Sequence, residues 1–365
     1  MPRIADRVLQ LGTETALDVL VKARALEQRG RRVIHLEVGE PDFPTPQHIV
    51  EAGVRALRDG HTRYGAPAGL PELREAIHPG APDRVVVAPG AKPLIFFGIL
   101  ATLAPGDEAL VPDPGFPIYA SMVRFCGGVP VPLDLESPAI TPRTRLVIVN
   151  SPCNPTGEVV SEEHLRGLAA LAEKNDLWVI SDEIYRRIIY GPEPRSIAAL
   201  IPDRTIVVDG FSKCYAMTGW RLGYGVFPPA LAPHAVRLVI NSNTCTAAFV
   251  QRAGLAALRG PQDAVAAMVA EFRRRRDAIV SALERVEGVR CKSPDGAFYA
   301  FPDVRALPLP AGALADRLLE EEGVAVLDGA GFGPRGAGHL RFSFAASLED
   351  LREAADRFAR LVSRL

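Results

Sequence analysis

Thr205-Ile206-Val207-Val208-Asp209-Gly210-Phe211-Ser212-Lys213-Cys214-Tyr215-Ala216-Met217-Thr218-Gly219-Trp220-Arg221 is the stretch on which the fold turns. Its opening is a β-branched apolar run, the pattern of a strand buried on both faces. A lysine follows directly. The chain has 365 residues and 42 Lys plus Arg, yet only five are lysines (22, 92, 174, 213 and 292), so a lysine at this place stands out. Similar runs occur at Arg84–Ala88, Ala109–Pro112, Leu146–Val149, Trp178–Ser181 and Leu222–Val226. Helical patterns separate several of them; Ser161-Glu162-Glu163-His164 has capping-box character and opens one that reaches Lys174. Strands alternating with helices predict an α/β fold, a three-layer large domain with a mostly parallel central sheet.

Ligands of such sheets bind beyond the carboxyl ends of the strands. A lysine in a water-poor place there has its ammonium destabilised, which favours the neutral amine that forms a Schiff base. Ser212 is adjacent and Arg221 lies eight residues on; together they suit a phosphate, the guanidinium by paired charge-assisted bonds. An imine-forming lysine beside a phosphate clamp is what pyridoxal 5′-phosphate requires, whereas the plain alternative is a surface lysine. Two further strand ends bear on the choice. Asp182 follows Trp178–Ser181 and can pair with a protonated pyridine nitrogen, or can simply cap the next turn. Tyr185 follows it by three residues and can donate to the ring O3′. Asn150–Gly157 closes the third strand, and its prolines and glycine fix a turn that can aim Asn154 at the same atom.

Composition narrows the classes. With 43 acidic against 42 basic residues the net charge is −1, which gives no field for nucleic acid or an anionic membrane. No apolar run approaches the roughly 20 residues of a membrane span, and the N-terminus shows no signal-peptide core. Five scattered cysteines predict neither a disulfide framework nor a metal site, and point to a reducing cytoplasmic setting.

After residue 230 the pattern changes. Helices are predicted over Ala230–Arg259, interrupted near Asn241–Thr246, and over Gln262–Val286. Then come strand Phe298–Phe301, helix Ala311–Glu322, strands Val324–Leu327 and His339–Phe344, and a terminal helix Leu348–Leu365. The predicted division is a large cofactor-binding domain over 36–260 and a smaller α+β domain built from 1–35 and 261–365. Arg273–Arg276 reads as a solvated helix face rather than a nucleic-acid site. Gly331-Phe332-Gly333-Pro334-Arg335-Gly336 matches G-x-G-x-x-G, but a strand and not a helix follows, so a loop between strands is expected and not a dinucleotide site.

With these motifs in place, nearly the whole chain resembles the fold-type I pyridoxal-phosphate enzymes of the class I/II aminotransferase family. The nearest branch holds many bacterial aspartate aminotransferases. The resemblance rests on the three strand ends together with Gly39–Pro46, Tyr64-Gly65, Pro89–Lys92, Asp113–Tyr119 and His339–Phe344. It implies that Lys213 is the Schiff-base lysine and proton shuttle, with Asp182 on the pyridinium and Asn154 and Tyr185 on O3′. Gly90, Ala91 and Lys92 would turn backbone N–H groups to the phosphate beside Ser212 and Arg221, and Phe116 would cover the ring. Tyr64 would reach the phosphate of a neighbouring subunit, making a homodimer with shared sites. Arg341 would hold the substrate carboxylate, with Gly39 and Asn154 nearby.

The reaction so implied moves an amino group from an L-amino acid to a 2-keto acid by a ping-pong cycle through pyridoxamine phosphate. Lys92 points toward an aspartate- or glutamate-like substrate, while Phe116 also suits alanine or aromatic substrates. A β-lyase on the same scaffold, or a non-catalytic cofactor-binding homologue, shares most of these residues. The chain departs from the family in two short connectors, near 78–83 and 134–141.

Overall fold

The structure is a computed structural model and describes residues 2–9, 11–12 and 14–365. Its strands, in chain order, are β1 (Ile34–His35), β2 (Val85–Ala88), β3 (Glu108–Pro112), β4 (Val129–Leu133), β5 (Thr144–Asn150), β6 (Trp178–Asp182), β7 (Thr205–Gly210), β8 (Gly223–Val226), β9 (Tyr299–Ala300), β10 (Val324–Ala325), β11 (Leu327–Asp328) and β12 (Leu340–Ser343). Seven of them make the central sheet, ordered β2-β8-β7-β6-β5-β3-β4. Pairing is parallel from β7 through to β4, as expected.

Strand β8 differs, running antiparallel to both β7 and β2. The reason is local. Only the Lys213 loop and a single 3₁₀ turn, Thr218–Trp220, separate β7 from β8, and so short a link returns the chain beside the strand it left. Because β8 is reversed between them, β2 and β7 point the same way. The carboxyl ends of β2, β3, β5, β6 and β7 therefore share one edge of the sheet.

Successive residues in the sheet face opposite layers. Val86, Ala88, Ile148, Ile180 and Ile206 pack in one core with the helices Lys92–Thr102 and Ala232–Ser242. Val85 and Val87 pack on the other face with Ala248–Arg259, and Val147, Val149 and Val179 with Glu162–Lys174. Two such faces make three layers. The last helix begins where its cap predicts: Ser161 accepts a hydrogen bond from the His164 N–H, with Glu162 and Glu163 in the first turn and Lys174 in the last.

A further core gathers Phe272 and Phe358 from helices Asp263–Glu284 and Leu348–Val362, Phe342 from β12, and Phe298 and Phe344 from the residues flanking β9 and β12. The run expected as one strand over Val324–Leu327 is two, β10 pairing with β1 and β11 with β12. The glycine motif at 331–336 lies in two short 3₁₀ turns between β11 and β12, as a loop and not a nucleotide site. Arg275 corrects the reading of the arginine run. It is only 7% exposed, pairing with Asp42 at 2.6 Å and Glu271 at 3.0 Å over the Phe43 and Phe272 rings. Two carboxylates and two rings within reach make burial tolerable there; Arg273 and Arg274 remain exposed.

Candidate active site

A cavity of about 510 Å³ opens where those strand ends meet, and Lys213 lies in it. The Lys213 ammonium is within 2.5 Å of the Gly39 carbonyl oxygen and about 6 Å from the ring centres of Tyr185 and Phe298. Burial pulls its pKa from 10.5 down to about 8; Glu40 opposes this and Arg341 adds to it. The amine is thus neutral in a useful fraction near physiological pH.

Asp182 ends β6 and is 4% exposed. Its Oδ2 accepts from the Tyr119 hydroxyl at 2.6 Å and its Oδ1 from the Ile184 N–H at 3.2 Å. The carboxylate caps the turn, one of the two readings of the sequence, and lines the cavity in which the other, pairing with a pyridinium, would occur. Burial raises its pKa from 3.8 to about 6, against the lowering effect of those two bonds. A desolvated carboxylate with neutral donors gains most from a cationic partner.

Arg341, on β12, is also 4% exposed. Its guanidinium donates to the Glu37 carbonyl and, at 3.2 Å, to Asn154 Oδ1, while the Tyr299 and Phe332 rings lie 4.6 and 5.2 Å from Cζ. Its Nε is buried without a partner. A guanidinium bonded to neutral oxygens, with a donor left over, is arranged to receive an anion. Asn154 is held in turn, its N–H donating to Asn150 Oδ1 at 2.9 Å and Asn150 Nδ2 to the Asp182 carbonyl at 3.1 Å.

Ala91 and Lys92 begin the helix Lys92–Thr102 at the cavity wall, beside Ser212 and Arg221. Glycines make this closeness possible. A Cβ on Gly90, whose φ is +93°, would lie 2.2 Å from an Arg221 nitrogen, and one on Gly223 would lie 2.5 Å from the Ala91 nitrogen. The result is a helix N-terminus facing a guanidinium, an anion cradle.

The cavity thus brings together Gly39, Ala91, Lys92, Phe116, Asn154, Asp182, Tyr185, Ser212, Lys213, Arg221 and Arg341. Gly90 abuts Arg221 at its edge. Tyr64 is not part of this wall; it is 87% exposed. Several wall residues had no expected role. Tyr119 touches Asp182, and Tyr299 meets the Tyr185 hydroxyl at 2.7 Å. Tyr119 stood inside a quoted motif and was legible there, but Tyr299 and Glu14 carried no local signal. Among the described residues no cluster of His, Cys, Asp and Glu is set to hold a metal ion.

The fold and the family of this chain are those of the pyridoxal-phosphate-dependent transaminases of fold type I. The chain belongs to the aminotransferase class I and II family, whose sequence profile matches residues 31–358. It is 39% identical to the aspartate/prephenate aminotransferase of Thermus thermophilus, with both chains covered in full, and 38% identical to a probable aspartate/prephenate aminotransferase of Aquifex aeolicus over 99% of each. Among solved structures, the Thermus thermophilus aspartate aminotransferase with maleate superposes with a TM-score of 0.93 at 39% identity, covering 99% of this chain and 100% of that one. An alanine aminotransferase of Pyrococcus furiosus gives a TM-score of 0.93 at 35% identity, with both chains covered in full.

Proposed function

We propose that this protein transfers the amino group of an L-amino acid to a 2-keto acid in a two-stage, ping-pong cycle, with pyridoxal 5′-phosphate held in the cavity described above. The observation that carries the reading is a buried amine, Lys213, drawn down to about 8, in one cavity with a desolvated carboxylate and a guanidinium that lacks a carboxylate partner. The cavity chemistry fits the cofactor. The Gly90–Arg221 cradle suits its phosphate, Asp182 suits its protonated ring nitrogen, and Asn154 and Tyr185 suit its ring oxygen.

When bound, the cofactor supplies an electron-withdrawing ring that stabilises negative charge on the substrate α-carbon. Lys213 would provide the amine that holds the cofactor and, in its free form, the base that takes the substrate α-proton and delivers it to the cofactor side. Asp182, as a carboxylate, would hold the ring nitrogen in its charged form. Arg341 orients the substrate through its carboxylate, which decides the bond that breaks. Relatives named for aspartate and prephenate support an acidic partner in the cycle; the alanine aminotransferase neighbour supports a neutral one.

We also propose that the cores described above mark the two domains expected from sequence, 36–260 and 1–35 with 261–365. Two copies pair so that Tyr64 of each serves the other's site; its exposure supports this. Five free cysteines fit a reducing cytoplasm.

The test is spectroscopic. Purified protein with pyridoxal 5′-phosphate should show a visible absorption band that Lys213→Ala lacks, and a donor amino acid should convert it to the pyridoxamine form. Release of pyruvate and ammonia without that form would establish a lyase instead.

A further inference from the structure

Lys92 and Glu14 both line the cavity, and their side chains form an ion pair. Glu14 immediately precedes the helix Thr15–Glu27, yet its side chain caps nothing there. Its carboxylate is committed to Lys92, whose ammonium also stands 5.4 Å from the Phe116 ring centre. The Glu14 charge reaches the reacting groups, being among those that raise the proton affinity of Lys213 and Arg341. The same cavity is also lined by the apolar side chains of Leu17, Leu20, Leu327 and Phe332.

We propose that Glu14 is a specificity-determining residue: it occupies Lys92 in place of a substrate's second carboxylate, so that the cavity selects amino acids with neutral, apolar side chains over dicarboxylic ones. This inference rests on the aminotransferase reading. With Arg341 assigned to the α-carboxylate and Arg221 to phosphate, Lys92 is left for any distal carboxylate. A dicarboxylic substrate then has two courses. It can displace Glu14 and lose a pair already made, or lie beside Glu14 and be repelled. A neutral side chain does neither; it meets the apolar wall and leaves the pair intact. The lysine that alone would favour aspartate or glutamate is already answered from within the chain. Because the Lys92 and Glu14 side chains keep 45% and 26% exposure, the pair can open without stranding a charge. The consequence is a bias rather than an exclusion, on the order of two- to fivefold.

The test uses holoenzyme carrying Glu14→Gln or Glu14→Asp, with two readouts. Calorimetry measures binding of succinate, an unreactive dicarboxylate; kinetics compare aspartate with leucine as donors. In Glu14→Gln, succinate should bind roughly two- to fivefold more tightly and the aspartate KM should fall by a like factor, with kcat changed far less. Glu14→Asp keeps the charge and should stay nearer wild type on both. Unchanged succinate affinity and unchanged aspartate-to-leucine preference in Glu14→Gln would overturn the proposal. So would equal weakening of every ligand in both variants, which would mean that Glu14 only supports the helix it precedes. Failure of the underlying reading looks different: no donor would convert the cofactor band in any of the proteins, while succinate binding, which needs no turnover, still decides on Glu14.

Discussion

Asp182 shows how a single residue is set against its own surroundings. Burial disfavours its charge, and the Tyr119 hydroxyl is foremost among the contacts that restore it. Removing that bond with Tyr119→Phe should raise the Asp182 pKa above its present value of about 6. Activity that needs the ionised carboxylate is lost as pH falls through that pKa, so the acid limb of kcat/KM should move to higher pH in the variant. A bond to a charged group is worth roughly 1.5–3 kcal/mol, a rise of about one to two pKa units, so activity at pH 7 should drop about 2- to 15-fold. An acid limb that stays in place would refute the coupling. For cofactor-free protein the sign is set by the raised pKa: the folded state holds this proton more firmly than the unfolded chain, so its contribution is complete below pH 3.8 and is lost as pH rises through about 6. Asp182 and Lys213 were singled out because each stands at or just beyond a recognisable apolar strand and Asn154 because a Pro- and Gly-rich turn closes another, whereas Arg341 entered only through the family resemblance. Tyr119, Tyr299 and Glu14 were not assigned, because their roles depend on contacts between segments far apart in sequence.

Among the elements, those with regular apolar periodicity and clear caps were legible almost to the residue: Ala311–Glu322 was predicted with the ends it has, and Ser161 opens its helix as expected. Strand β4, Val-Pro-Val-Pro-Leu, was missed. Proline lacks the N–H that a sheet ladder uses, which argues against a strand. Here β4 is the edge strand, and the Val129 N–H bonds inward to Asp107, so the nitrogens of Pro130 and Pro132 face the open side. The reversal of β8 was likewise invisible to periodicity, which carries no strand direction. That reversal lays Gly223 against Gly90 and Ala91, beneath the anion cradle. Gly223→Ala puts a methyl 2.5 Å from backbone atoms that cannot rotate away, so the cradle must move. Cofactor affinity should fall by about tenfold or more, since losing part of a phosphate contact costs at least 1.4 kcal/mol. Dialysis followed by absorbance measures it. An alanine variant that retains cofactor like wild type would show that the cradle does not bear the phosphate.

At the scale of the whole molecule, the exposed residues are as informative as the buried ones. Tyr64 is 87% exposed, and Ile4, Leu9, Leu17 and Val21, each at least 60% exposed near the N-terminus, are more open to solvent than the other exposed large apolar side chains. Pairing of two copies, as proposed above, would account for both, covering the apolar residues and bringing Tyr64 to the other copy's cradle. Sequence placed Tyr64 in a recognisable motif, but one chain's residues cannot show which molecule a side chain serves. Complementation can. Lys213→Ala should be inactive, and Tyr64→Phe should be strongly impaired by weakened cofactor binding. In a mixed dimer one site carries both substitutions, and the other pairs an intact Lys213 with an intact partner Tyr64. Random reassortment makes half of the dimers mixed with one good site in each, so unfolding and refolding the two proteins together should restore about a quarter of wild-type activity. Refolding each protein alone should restore none beyond its own background. If Tyr64 served the site of its own chain, no mixed dimer would contain an intact site, and activity would remain at the average of the two parents.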